Sequence, residues 1–210
     1  MAFKDNFRGD SAYSQIMTKV FDILWLSVLS IICCIPVITL GASLISLYYV
    51  MLKLVRDEET AVTRNFFKVF KENFLQSVPV TLILALTIIV LTTDFHILGQ
   101  NNNGSSSVIY GCCIFIALIA TAIFSYVFPL LARYKNTVRK TFGNAARLAA
   151  CNIGASFVMV IVNIFPVIWF IASPETFAAI FFIWMFVGLG IQAFINSLIV
   201  RKIFDRLERE

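Results

Sequence analysis

The sequence predicts an all-α fold, a polytopic transmembrane helical bundle with six membrane segments. Three observations carry the prediction. Apolar residues make up 60% of the 210 and charged residues only 14%, where a soluble domain carries about 25% charged residues. Four apolar runs are each long enough to cross a hydrocarbon core of about 30 Å at 1.5 Å per helical residue. The 17 Lys and Arg sit between or beyond the apolar runs, where membrane orientation requires them. A net charge of +5 therefore does not call for nucleic acid, which needs a basic face on a soluble fold.

The first 19 residues are mixed and polar, and the apolar stretch after them is too long for a signal-peptide core. They are read as a retained cytoplasmic segment, 1–19. The apolar region 20–54 follows, and as one straight helix it would reach about 52 Å, too long for an ordinary span. Its middle reads Cys34-Ile35-Pro36-Val37-Ile38-Thr39-Leu40-Gly41. Pro36 removes an amide donor and clashes with the preceding turn, while Gly41 permits a non-helical backbone. The region is expected to fold as a hairpin of two short segments, 20–35 and 37–54, each near the lower limit for a span, with a partly re-entrant hairpin as the alternative. Segments three to six are expected at 75–98, 108–131, 148–172 and 177–200, followed by a tail at 201–210.

Charge favours six segments over five. Lys and Arg fall into four groups: residues 4–19, 53–71, 133–147 and 201–209. The linkers 99–107 and 173–176 contain none. With six segments every group is cytoplasmic, as are both termini; with five, the first group would have to be translocated.

Two cytoplasmic elbows are amphipathic. In 64–74, helical spacing groups Phe66, Phe67, Val69, Phe70 and Phe74 on one face and Arg64, Lys68, Lys71 and Glu72 on the other, with Asn73 as a polar intruder on the apolar face. A weaker version places Val138, Phe142, Ala145 and Ala149 opposite Lys140, Asn144 and Arg147. Such helices either anchor to an anionic leaflet, at about one kcal/mol per nearby cation, or form a docking surface for a partner.

Ionisable groups at membrane depth are nearly absent. Asp22, Asp94 and His96 lie near segment ends, and Asp94 and His96 point apart on a helix, so they do not chelate one metal. His96 is the only histidine, which leaves nucleophilic schemes built on a His base without a base. The five cysteines lack a CxxC spacing and read as small apolar residues. No catalytic residue, metal ligand or cofactor is expected. The informative polar residues are neutral: Asn163, just before Pro166, and Gln192 and Asn196, four apart on one face. In hydrocarbon they seek partners across helix interfaces, or they line a cavity beside the carbonyl freed by Pro166 and hydrogen-bond a neutral solute.

The opening Leu24-Trp25-Leu26, the Pro36 to Gly41 motif continuing into Ala42, the pair Tyr48-Tyr49 and the run Phe66-Phe67-Lys68-Val69-Phe70-Lys71-Glu72-Asn73-Phe74 together resemble the YesL-like family. The likeness covers residues 10–205 and is most specific in the first half. It implies a small multi-pass membrane protein of the plasma membrane of bacteria, mostly Gram-positive, whose genes lie near carbohydrate-uptake permeases. It also marks Pro36, Thr39, Gly41 and Asn73 as signature positions; the family has no assigned biochemistry, so no catalytic residue follows.

The leading expectation is a non-enzymatic accessory protein of a carbohydrate-uptake system, touching its partner through the elbows. Partners in view are the lipid bilayer, a carbohydrate ABC transporter or other membrane protein, and a second copy of the chain as a homo-oligomer. The alternative is a carrier or permease subunit for a small neutral, sugar-like solute. An ATP-coupled permease loop is disfavoured, since Ala145-Ala146 lacks the preceding acid and the following glycine of that motif, and there is no Gly-rich phosphate loop.

Overall fold

In the computed structural model, residues 3–56, 58, 61–100, 106–134 and 136–208 are described, with side chains placed from residue 16 onward except at positions 99, 100, 106 and 107. Lys4, Arg8, Lys135 and Arg209, and the whole of the linker 99–107, lie outside the described side chains. Among the described residues every regular element is helical. In order these are α1 (Phe3–Cys34), a 3-10 turn (Val37–Thr39), α2 (Leu40–Val55), α3 (Val62–Gln100), α4 (Ser106–Arg133), α5 (Val138–Cys151), α6 (Ile153–Ala172), α7 (Pro174–Ile183), a π-helical turn (Trp184–Gly188) and α8 (Leu189–Leu207). Six helical stretches are long and apolar enough to cross a membrane.

The short helix α2 is the centre. Of its most apolar stretch 61% is buried, against 11–22% for the other five. It packs against α1, α3, α4 and α8. In lipid such packing has no apolar driving force of its own, so it depends on close van der Waals contact, which small side chains allow. Ser30, Ser43, Ser46 and Ser77 are buried on α2 and the helices beside it, and Ser27 where α1 passes Gly190 of α8. Ser43 Oγ donates across to the Ser30 carbonyl at 3.0 Å, tying α2 to α1. Ser27 and Ser46 return their protons to carbonyls of their own helices, so these two hydroxyls are buried without an unmade bond, whereas Ser30 Oγ has no partner among the described residues.

Gly41 corrects the expectation drawn from its backbone freedom. It lies inside α2, and its amide donates to Thr81 Oγ1 at 3.1 Å. A methyl group there would collide with Thr81 Oγ1 and stand 3.0 Å from the Ser77 carbonyl oxygen. The glycine is needed because α2 and α3 touch backbone to backbone. The reversal itself is made by Pro36, extended at φ −77°, ψ 122°, and by Thr39, whose hydroxyl lies 2.5 Å from the Cys33 carbonyl and 2.6 Å from that of Pro36. It thereby serves a carbonyl at the end of α1 that the broken helix leaves open.

The first elbow is not a separate helix. Residues 64–74 form the opening turns of α3, which runs unbroken through Pro79. The second elbow is separate: α5 ends at Asn152, whose φ of −120° and ψ of 56° break the helix, so the fifth membrane segment starts at Ile153 and not at 148. The sixth starts earlier than expected, at Pro174, and continues through the π turn to Leu207.

Candidate functional site

The neutral polar residues meet. Asn163 of α6 sits at a hub: Gln192 Nε2 donates to its Oδ1 at 2.7 Å and Asn196 Nδ2 to the same oxygen at 2.9 Å. Its own Nδ2 donates to Ser125 Oγ at 2.6 Å. The direction is fixed from the α4 end. Ser125 gives its one proton to the Thr121 carbonyl at 2.7 Å, so it can only accept from Asn163, which turns the Asn163 oxygen toward the two α8 amides. Asn196 Nδ2 also donates to Tyr48 Oη at 3.2 Å on α2. Four helices are thus joined by groups that carry no charge.

Two members, Tyr48 and Ser125, were missed in the sequence. Tyr48 reads as an interfacial ring near a segment end, but it is buried because α2 is short and central. Ser125 is one hydroxyl in an apolar span, and nothing local shows that it faces α6. Asn196 is fully buried, and its Oδ1 has no hydrogen-bond partner among the described residues.

Beside the hub lies a cavity of about 350 Å³, walled by α2, α3, α4 and α8 and by Asn163 of α6. Tyr48, Ser125, Asn163 and Gln192 form its polar side, and Leu44, Leu84, Ile88, Ala120, Phe124 and Leu189 belong to the apolar remainder. Asn196 stands behind this surface. Pro166 lies within α6 less than one turn past Asn163, where its missing N–H leaves the Val162 carbonyl without its helical donor.

At the other candidate surface the elbow residues separate. Phe66 is completely buried in the core, while Phe67 is 41% exposed, so the two do not share a lipid-facing or partner-facing surface. Phe70 stacks on Phe66 at 6.2 Å and is partly buried against the core. Lys68 and Lys71 are exposed. Asn73 is half-buried and donates to the Val69 carbonyl of its own helix at 3.0 Å. It lines a groove of about 550 Å³ with Glu72, Gln76, Asn136, Thr137 and Val138. Gln76 Nε2 donates to the Asn136 carbonyl across this groove. On α5, Thr141 and Ala145 are buried and Phe142 partly so, while Arg139, Lys140, Asn144 and Arg147 are exposed, with the Phe142 ring set edge-on to Phe124 at 5.6 Å.

The same end of the bundle is closed by an ionic clasp that the sequence did not reveal. Arg56, after α2, donates to Asp205 of α8 at 2.9 Å. Arg133, at the end of α4, reaches both carboxylate oxygens of Glu208 at 2.6 and 2.7 Å and lies over the Phe204 ring at 5.3 Å. Arg201 donates to the Val55 carbonyl. Tyr134 donates to Glu208 at 3.1 Å; burial pushes its phenol up, and the neighbouring Arg133 opposes this. The basic ends of α2, α4 and α8 therefore share one face of the molecule.

The hairpin and the first elbow also lie within the stretch that is similar to known proteins. Residues 19–95 match the family described as "Protein of unknown function, DUF624". That stretch contains the Pro36 to Gly41 turn and the Phe66 to Asn73 elbow, in agreement with the YesL-like resemblance. The "Uncharacterized protein YesV" of Bacillus subtilis (strain 168) is 22% identical over 121 residues, covering 54% of this chain and 58% of that protein. The match thus spans less than two thirds of the relative's length. No solved structure matches the chain.

Proposed function

We propose that the protein is a non-enzymatic, partner-binding integral membrane protein of the bacterial plasma membrane, with both termini in the cytoplasm, accessory to a carbohydrate-uptake system. The observation that carries this reading is the groove beside the first elbow. Among the described residues its lining offers amide and hydroxyl groups from Asn73, Gln76, Asn136 and Thr137, one carboxylate from Glu72, and no cation. An anionic lipid headgroup would need cations there; a polypeptide, with its own amides and basic side chains, is matched by it. The clustering of basic helix ends on this face supports a cytoplasmic placement, and the YesL-like resemblance supplies the uptake context. The test is affinity purification from the native host in mild detergent, comparing wild type with K68E/K71E. Loss of a co-purified sugar-permease subunit at unchanged membrane insertion supports the docking role. Unchanged recovery returns these lysines to lipid anchoring.

A second reading is favoured by a separate observation, the cavity beside Asn163: the bundle itself binds or carries a small neutral solute. Uptake of a labelled neutral sugar into proteoliposomes holding only this protein would support it.

A further inference from the structure

We propose that the cavity beside Asn163 binds a neutral bilayer amphiphile, holding a hydroxyl head between Tyr48 and Gln192 and an apolar body against α3 and α4. The inference rests on the second reading above and narrows its ligand class. Polar functions on the cavity wall remain unspent among the described residues, among them the second N–H of Asn163 and of Gln192, each of which donates one proton only. Tyr48 Oη accepts from Asn196 but its own proton has no acceptor, and Gln192 gives an N–H to Asn163 while its Oε1 receives nothing. The Tyr48 proton and Gln192 Oε1 together offer the donor and the acceptor that a single hydroxyl group satisfies, since it gives one proton and receives another, and the spare amide N–H groups add only further donors to its oxygen.

The rest of the wall limits the body of the ligand. Leu44, Leu84, Ile88, Ala120, Phe124 and Leu189 present carbon, and the Thr87 and Thr121 hydroxyls are already bound to the Ile83 and Ala117 carbonyls at 2.8 Å. A free sugar would bring several hydroxyls against these side chains without partners, at a cost for each. A charged head would find no counter-ion, because among the described residues no carboxylate, amine or guanidinium lines the cavity. Access is lateral: Ile88, on the α3 wall, is 51% exposed on the surface that meets lipid chains.

The experiment uses the full chain in phosphatidylcholine nanodiscs with a diazirine-bearing dodecanol as photoprobe and mass spectrometry of the adducts. The expected result is adducts on the lining segments of α3 and α4, against which the apolar body lies. They are displaced by dodecanol and not by ionised dodecanoate or glucose. Q192L and Y48F each weaken dodecanol competition about five- to tenfold, the worth of one hydrogen bond. A120F, which fills the cavity without touching the hub, removes the adducts while thermal unfolding stays cooperative. Equal displacement by dodecanoate, or competition unchanged in both Q192L and Y48F, overturns the assignment of the head. Displacement by glucose overturns the amphiphile class but leaves the cavity a solute site. Absence of lining adducts in folded wild-type protein overturns both.

Discussion

Asn163 shows how much a single amide can decide in an apolar bundle. Its oxygen takes two protons from α8 and its nitrogen gives one to α4, so removing it breaks three interhelical bonds at once. Interhelical bonds in membranes average about 0.6 kcal/mol each, and leaving buried groups unpaired adds to that. Asn163→Leu should therefore cost about 2 kcal/mol in denaturant unfolding from mixed micelles, whereas Tyr48→Phe, which removes a single acceptor, should cost under about 1 kcal/mol. Equal, small effects would show that the hub contributes nothing to holding the helices. Asn163, Gln192 and Asn196 were legible in the sequence because a carboxamide in a hydrocarbon run stands out. Tyr48 and Ser125 were not, since a Tyr near a span end and a Ser within a span are ordinary until the neighbouring helix is known. Gly41 was legible as special but for the wrong reason: sequence shows that a side chain is missing, and only packing shows what occupies the space.

At the scale of elements, the first elbow and the hairpin depart most from periodicity alone. A hydrophobic face read from spacing does not say whether it meets lipid, a partner or the protein's own core. Phe66 goes to the core and Phe67 to the outside, one residue apart. Phe66→Ala should cost about 3–5 kcal/mol, as for an aromatic removed from a packed core, and Phe67→Ala under about 0.5 kcal/mol; similar losses at both sites would contradict the packing. The hairpin's tip meets α3 at Ser77 and Thr81, and α3 continues from Thr81 to Gln100 for about 28 Å. Ile35 at the tip is nonetheless 77% exposed, so lipid is its natural cover. In intact cells a cysteine at Ile35 should resist a membrane-impermeant thiol reagent, as should one at residue 5, while one at residue 103 reacts. Labelling at Ile35 as strong as at 103 would place the tip outside the membrane. Charge counting alone could not separate these cases, because a re-entrant hairpin and a spanning one leave the same residues on the same side.

Over the whole molecule, one face concentrates the polar chemistry. The clasp of Arg56, Arg133, Asp205 and Glu208 joins the ends of α2, α4 and α8, and the groove beside Asn73 and Asn136 opens next to α5. The opposite parts of α3, α4, α6 and α7 are apolar and exposed, which fits them for lipid. The all-α, six-segment plan was readable because hydropathy and length are properties of the chain itself. The clasp was not, because Asp205 and Glu208 look like ordinary tail charges until α8 is set beside α2 and α4. The claim that this face docks a protein is tested most directly by photo-crosslinking in growing cells, with p-benzoylphenylalanine at Val138 in the groove or at Phe182 on the lipid-facing side. A discrete adduct to one membrane protein from Val138 and none from Phe182 is the predicted result; no protein adduct from Val138, or the same adducts from both positions, would contradict it.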